Sequence, residues 1–197
     1  KNIGSDTLDK IKKLLKVDND DSLIPGGRYH HRRDYMNFPK LKRSDLLYSK
    51  NDPLLIPGLS LEKSLFKAIE KKDYLLYTPY HSFSYIIKFL REAALDPGVS
   101  LIKITIYRLS KISNVARALI NAAKNGKKVL VQIELQARFD ETNNIIYAEQ
   151  MQSAGVELIF GIPGLKVHSK ICVIEKTINN KRKRFGFIST GNLNEDT

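Results

Sequence analysis

Several residue types that define particular classes of protein are scarce or missing in this sequence. It has one cysteine, Cys172, two methionines and no tryptophan. An internal disulfide is therefore impossible, and we expect no structural zinc site built from cysteine and histidine. No apolar run approaches the ~18–20 residues of a membrane helix, and no secretory signal pattern opens the chain. We expect a cytosolic protein without a membrane span.

Positive charge is the strongest feature of the composition. The 197 residues include 33 Lys and Arg against 21 Asp and Glu, a net charge of +12. Such an excess concentrates phosphates, nucleic acids or acidic lipids near a protein surface, and charge alone does not choose among them. The hydrophobic fraction of 42% is typical of a globular protein, so wholesale disorder is excluded.

The organisation of the sequence changes near residue 60. Residues 5–16 have helical spacing with Ser5 as a candidate cap, whereas residues 18–58 have little periodicity and several proline, glycine and basic clusters. We interpret residues 1–59 as the end of a preceding domain and a connector. Because the chain begins without methionine and stops within a motif, we expect a fragment of a longer protein.

Helical and strand periods alternate from residue 60 onward, which predicts an α/β domain over residues 60–197. The predicted helices cover residues 60–71, 82–95, 114–124 and 142–153, and Ser113 is the expected cap of the third. The predicted strands cover residues 74–78, 100–107, 128–135, 156–160, 167–175 and 184–189. Together they predict a mixed, largely parallel sheet flanked by helices, with the last two strands forming a C-terminal hairpin.

Basic and polar residues directly follow the predicted strands, where open α/β sheets bind their ligands. They include His81, Arg108, Arg138 and His168. His168, Lys170 and Cys172 are spaced by two along a predicted strand, so their side chains should lie on one face. A neutral imidazole can attack phosphorus while an ammonium binds the non-bridging oxygens, which favours phosphoryl transfer. The competing interpretation is a structural, hydrogen-bonded histidine.

The C-terminal motifs resemble a known superfamily. His168-Ser169-Lys170 followed by Thr190-Gly191-Asn192-Leu193-Asn194 is similar to the HxK…GxxN signature of the phospholipase D superfamily, in which asparagine amides assist phosphate binding. The acid that usually follows the lysine by five positions is Glu175 here rather than aspartate. Phosphodiesterase chemistry is therefore less well supported than the fold.

A closer resemblance extends over nearly the whole chain. Seven blocks, in the same order, resemble the polyphosphate kinase family: IPGGRYH at 24–30, RDYMNFP at 33–39, TPYHSF at 78–83, IYRL at 106–109, ARFDETNN at 137–144, GLKVHSK at 164–170 and STGN at 189–192. The resemblance implies reversible transfer of the γ-phosphoryl group of ATP to inorganic polyphosphate, with His168 as the phosphorylated histidine.

The resemblance also implies a phosphate site linked to Mg²⁺. By this resemblance Arg108 and Arg138 belong to that site, and we expect them to bind phosphate oxygens because arginine is not a metal ligand. Lys170 and the amides of Asn192 and Asn194 would bind phosphate as well. Asp140 or Glu141 could contact the ion indirectly. His81 could lie at the rim of the site or have a packing role.

The expected partners are ATP or ADP and polyphosphate, with no specific nucleic acid. The resemblance implies a cytoplasmic homo-oligomer when complete, leaves a peripheral association with the inner membrane open, and assigns this chain to the end of the head region and the first catalytic half. The isolated fragment should then be inactive. Two alternatives are a phospholipase-D-type phosphodiesterase using the same histidine, and a noncatalytic polyanion-binding module that depends on salt but not on His168.

Overall fold

The computed structural model describes residues 3–17, 41–49, 51–134, 141–162, 164–165 and 168–195. They belong to two compact units, Lys1–Asn51 and Asp52–Thr197. The smaller unit contains helix α1, Ser5–Leu15, and a 3₁₀ turn at Ser44–Leu46. The predicted helix is therefore present, but its N-cap is Gly4 rather than Ser5. The apolar residues Leu14 and Leu15 of α1 are exposed.

The larger unit is built on one sheet, which has five strands within the described residues. The strands are β1 Val99–Ile106, β2 Lys128–Ile133, β3 Glu157–Phe160, β4 Lys170–Ile178 and β5 Lys181–Ser189. Their order in the sheet is β3-β2-β1-β4-β5. β1, β2 and β3 are parallel, and the β4–β5 hairpin joins β1 in the antiparallel direction. The predicted mixed α/β fold with a C-terminal hairpin is confirmed.

Four helices of this unit are found among the described residues. They are α2 Leu65–Ile69, α3 Ser84–Leu95, α4 Asn114–Lys124 and α5 Glu141–Ser153. Ser113 caps α4 as predicted, because its hydroxyl accepts a hydrogen bond from the Ala116 N–H at 3.2 Å. Across the described residues no helix combines the length and hydrophobicity that crossing a bilayer requires.

Helix α2 is much shorter than the predicted helix over residues 60–71. It begins at Leu65, where Ser64 is the N-cap and accepts from the Lys67 N–H at 3.2 Å. The carboxylate of Glu92 on α3 accepts a second hydrogen bond, from the Leu65 N–H at 2.8 Å. A residue distant in sequence therefore defines where this helix begins, so local periodicity placed the start too early.

The predicted strand over residues 74–78 is wrong. Residues 74–77 are irregular, residue 78 lies in a turn, and none of them forms a ladder with a described strand. Their alternation is nevertheless real, because Tyr74 and Leu76 pack against the core while Leu75 and Tyr77 are exposed. The prediction failed because a strand requires backbone pairing with a neighbouring strand, which the sequence of one segment cannot reveal.

The hairpin has a shorter loop than predicted. Asn179 and Asn180 both have positive φ angles, 50° and 58°, which is the conformation of a two-residue hairpin turn that asparagine tolerates. β4 and β5 therefore extend to Ile178 and from Lys181. Gly186 on β5 lies so close to the carbonyl oxygen of Cys172 that a Cβ atom could not fit there.

Cys172 provides a test of core packing. Its side chain lies in the core between β1 and β5, and burial raises the pKa of its thiol to about 12. The thiolate is the reactive form, so we expect native protein at pH 8 to react with iodoacetamide at least roughly 10³-fold more slowly than urea-unfolded protein, whose thiol has a pKa near 8.5. Mass spectrometry measures this directly. Rapid stoichiometric labelling of the native protein would contradict the buried position.

Candidate active site

The predicted site residues meet where β1 ends and β4 begins. Because β4 is antiparallel to β1, its first residues lie beside the last residues of β1, and the paired register ends at Ile104 opposite Cys172. Thr105 extends this connection through its side chain. Its hydroxyl donates to the Ser169 carbonyl at 2.5 Å and accepts from the Ile171 N–H at 3.0 Å. The backbone next to His168 is thus tied to β1.

The ring of Tyr107, directly after β1, contacts three predicted site residues. The His168 imidazole packs against it in a T-shaped arrangement, with 5.3 Å between ring centroids. Lys170 Nζ lies 5.0 Å from the ring centroid, and Arg108 Cζ lies 5.6 Å from it. The structure therefore brings His168, Lys170 and Arg108 together around one aromatic side chain.

His168 and Lys170 differ sharply in exposure. His168 is exposed, outside the hydrogen-bonded part of β4, whereas Lys170 is 2% exposed and is the first residue of the strand. Lys170 and Cys172 share the buried face as predicted. The Lys170 ammonium donates to the His168 carbonyl at 2.6 Å. Hence His168 is accessible to solvent, whereas the neighbouring Lys170 is buried and is hydrogen-bonded to the His168 backbone.

The electrostatics at Lys170 favour an anionic ligand. Burial lowers the pKa of its ammonium below the ordinary lysine value, and the nearby positive charge of Arg108 lowers that pKa further. Both effects disfavour the charged form when the site is empty. A bound phosphate would reverse this, because a negative charge between two cations stabilises both of them.

The turn that follows β5 lies at the same edge of the sheet. Ser189 is paired with Lys170 across the hairpin, so the Gly191-Asn192 turn continues from the strand end nearest the site. Within the described part of the chain, the buried Oδ1 atom of Asn192 has no hydrogen-bond partner. Asn194 is buried and makes interactions within the protein. The two asparagines predicted to bind phosphate therefore differ, because Asn192 has a buried oxygen without a partner among the described residues, whereas Asn194 interacts within the protein.

Glu195 connects this turn to the N-terminus of α4. Its carboxylate accepts hydrogen bonds from the Ser110 hydroxyl at 2.8 Å and from the Val115 N–H at 3.2 Å. It also accepts from the Asn114 N–H at 2.5 Å. A negative charge at a helix N-terminus is stabilising, and here it also joins the asparagine turn to the loop after β1.

We expect Glu195→Gln to lower the free energy of unfolding by about 1–3 kcal/mol, because the charge-assisted bonds to the helix N-terminus would be lost or weakened. Urea unfolding of the purified protein measures the change. Glu149→Gln is the matched control, since Glu149 is exposed on α5. Equal stabilities of the two variants would contradict the capping role.

Asn144 is a structurally important residue that sequence analysis did not single out. Its side chain is buried in α5 and donates to the carbonyls of Tyr107 at 3.0 Å and Glu134 at 2.9 Å. It accepts from the Leu109 N–H at 3.2 Å. Asn144 therefore holds the ends of β1 and β2 in place. A buried amide within a helix is the available signal, but it does not identify its partners.

Other predicted residues are placed differently or fall outside the described residues. Arg138 and Asp140 lie outside them, as does the side chain of Glu141. His81 Nδ1 accepts from the Tyr77 N–H at 2.9 Å, which indicates a role in closing a turn. Glu175 forms ion pairs with Arg184 at 3.0 Å and Arg182 at 3.6 Å, roughly 17 Å along β4 from Lys170.

A direct protein-bound Mg²⁺ does not fit the described side chains. Among them, no group of three or more His, Cys, Asp or Glu residues is arranged to bind a metal ion. Arg108 is a cation and only donates hydrogen bonds, so it cannot be a ligand. The action of Arg108 on a phosphate group rather than on a metal stays a prediction, and its guanidinium has the donors that such a role requires.

The fold and this sheet edge define a mixed α/β domain with an exposed histidine that shares one aromatic ring with two cationic side chains. The family model for polyphosphate kinase C-terminal domain 1 matches residues 64–197. The chain belongs to the polyphosphate kinase family. This confirms the resemblance found in the sequence.

Individual relatives support the same assignment. The chain is 43% identical over its full length to a polyphosphate kinase of Yersinia pestis, covering 29% of that protein. It is 44% identical over 95% of its length to a polyphosphate kinase of Escherichia coli K12, covering 28% of it. The crystal structure of polyphosphate kinase from Porphyromonas gingivalis superposes with a TM-score of 0.69 at 36% identity, covering 94% of this chain and 30% of that one. The chain thus spans less than a third of these relatives.

Proposed function

We propose that this chain forms part of the catalytic centre of an enzyme that reversibly transfers the γ-phosphoryl group of ATP to inorganic polyphosphate. Membership of the polyphosphate kinase family supports the overall reaction. The observation that carries the mechanism is the exposed His168 imidazole, which lies against Tyr107 together with Arg108 and Lys170. A nucleophile with two adjacent cations is the arrangement that phosphoryl transfer requires.

The proposed reaction has two steps at His168. In the first, an imidazole nitrogen attacks the γ-phosphorus, a P–N bond forms, the bond from the γ-phosphorus to the bridging oxygen breaks, and ADP leaves. In the second, a terminal oxygen of polyphosphate attacks the phosphohistidine, a new P–O bond forms and the P–N bond breaks. The chain of phosphates grows by one unit, and each step is reversible.

Arg108 and Lys170 are proposed to stabilise the transferring group. The transition state is loose and spreads charge over three equatorial oxygens, so preorganised donors provide most of the catalysis. Asn192 is proposed as a further donor. Its buried Oδ1 has no partner among the described residues, and rotation of the amide would present its NH₂ group to a phosphate. Asn194 and Arg138 are proposed to complete the phosphate site.

Mg²⁺ is proposed to enter as the complex with ATP, bound to phosphate oxygens. Its chemistry there is neutralisation of the β- and γ-phosphate charge. The net charge of +12 would attract a long polyanionic product. We further propose that the complete enzyme is a cytoplasmic homo-oligomer containing more chain than these 197 residues, and that this part alone is inactive.

The test is to incubate the complete enzyme with γ-labelled ATP and Mg²⁺ and to analyse the label on the protein. A phosphohistidine is labile to acid and stable to alkali, and chasing with polyphosphate should remove the label. Hydrolysis of phosphodiesters without any nucleotide would favour the phospholipase-D-type alternative instead. Polymer synthesis without protein-bound label would show that the histidine mechanism is wrong.

A further inference from the structure

Resting on the function proposed above, we propose that Tyr107 is a positioning residue of the transfer reaction: its aromatic ring holds the His168 imidazole and the two phosphate-binding cations in one fixed arrangement. All three contacts are made to the ring. The imidazole packs at 5.3 Å between centroids with a 73° angle between the ring planes. Lys170 Nζ and Arg108 Cζ lie at 5.0 Å and 5.6 Å from the ring centroid.

These contacts have a clear electrostatic basis. The face of an aromatic ring is negative and attracts cations within about 6 Å of its centroid, and edge-to-face packing is a preferred geometry for aromatic pairs. Arg108 and Lys170 repel each other, and the burial of Lys170 removes water that would screen its charge. The ring of Tyr107 therefore stabilises two like charges close together before a phosphate binds.

The backbone of Tyr107 is itself held by hydrogen bonds to α5 and by the neighbouring strand. Its carbonyl accepts from Asn144 Nδ2 at 3.0 Å, and the neighbouring Leu109 N–H donates to Asn144 Oδ1 at 3.2 Å. Two residues before Tyr107, the Thr105 hydroxyl on β1 ties this strand to Ser169 and Ile171 at the start of β4. These hydrogen bonds hold the backbone at Tyr107, and the imidazole and both cations pack against the ring that this backbone carries.

The position of the ring predicts a specific kinetic effect. Without the ring, the imidazole and both cations remain in the protein, so ATP should still bind, but the nitrogen and the cations would no longer be aligned with the transferring phosphoryl group. Misplacement of a reacting group by about 1 Å can cost ~10²-fold in rate. For Tyr107→Leu we therefore expect kcat to fall by roughly 10- to 100-fold with KM for ATP nearly unchanged. Tyr107→Phe keeps the ring and should retain kcat within about threefold.

The experiment measures kcat, KM and the single-turnover rate of protein labelling by γ-labelled ATP in the complete enzyme. The matched control is Tyr74→Leu, because Tyr74 also lies near a cation, with Lys72 Nζ at 5.0 Å from its ring centroid, in a different part of the unit. Tyr74→Leu should leave the labelling rate unchanged. If Tyr107→Leu does not fold, Tyr107→Met, which also lacks a ring, is expected to show the same loss.

The outcomes separate this proposal from the proposed function. Slow labelling of Tyr107→Leu with recovery in Tyr107→Phe supports the positioning role. Wild-type labelling rates in the Leu or Met variant would overturn it and leave the phosphohistidine mechanism intact. An equal loss in the Phe and Leu variants would also overturn it, because the hydroxyl group would then be the essential feature. Absence of label on the wild-type enzyme would instead overturn the proposed function.

Discussion

Replacing His168 with alanine should abolish both protein labelling by γ-labelled ATP and polyphosphate synthesis in the complete enzyme. The variant lacks the nitrogen that forms the P–N bond, so neither step of the two-step transfer can occur. Loss of a member of a covalent catalytic unit typically costs roughly 10⁴- to 10⁶-fold in kcat, and we expect a decrease of that size. Radiolabel on the protein and polymer length on gels measure the two effects separately.

The structure offers His81→Ala as a matched control. His81 is also a histidine of the larger unit, but its Nδ1 atom accepts from the Tyr77 N–H in a turn. Its replacement should lower stability slightly and leave labelling intact. His168 is exposed, so its loss should not disturb the core. Polymer synthesis by His168→Ala at the wild-type rate would rule out the phosphohistidine intermediate.

Replacing Arg108 with alanine is expected to lower kcat by about 10²–10³-fold, the cost of removing one preorganised donor from a charged transition state. Arg108 follows β1 directly and shares the Tyr107 ring with Lys170. Its guanidinium can bind two oxygens of one phosphate in a planar geometry that lysine cannot reproduce. Arg108→Lys should therefore recover only part of the lost rate.

Arg182→Ala is the matched control for charge. Arg182 is an exposed arginine of β5 near the hairpin turn. Its Nη1 atom lies 3.6 Å from the carboxylate of Glu175, and Glu175 is five residues along β4 from Lys170. This variant removes the same charge from the protein and should keep kcat near the wild-type value. Similar kinetics for the two alanine variants would mean that general positive charge, rather than Arg108 itself, assists the transfer.

The helices and strands with strong periodicity were predictable. The patterns of β1, β2 and α4 matched the structure closely, and Ser113 caps α4 as expected. Each of these depends on neighbours within one element. The errors occur where a distant residue decides the outcome: Glu92 marks the start of α2, and residues 74–78 form no ladder with a described strand.

For the candidate site as well, the sequence identified some residues, whereas their contacts required the structure. His168, Lys170 and Arg108 could be chosen from the sequence because basic residues after strands lie at one edge of a sheet. Their arrangement around Tyr107 could not, since it depends on β4 running antiparallel to β1. The roles of Asn144 and Glu195 could not be predicted from the sequence either, because their hydrogen-bond partners are distant in sequence. Ser110, for example, is 85 positions from Glu195.

The sequence by itself determined the local elements, the order of polar residues along the chain and the family. Only the tertiary structure decided which ring the histidine packs against, which cation is buried beside it and which amide holds the strand ends. The reason is physical: periodicity and capping act over a few residues, whereas distances between side chains depend on how the strands are paired and how the helices pack against them.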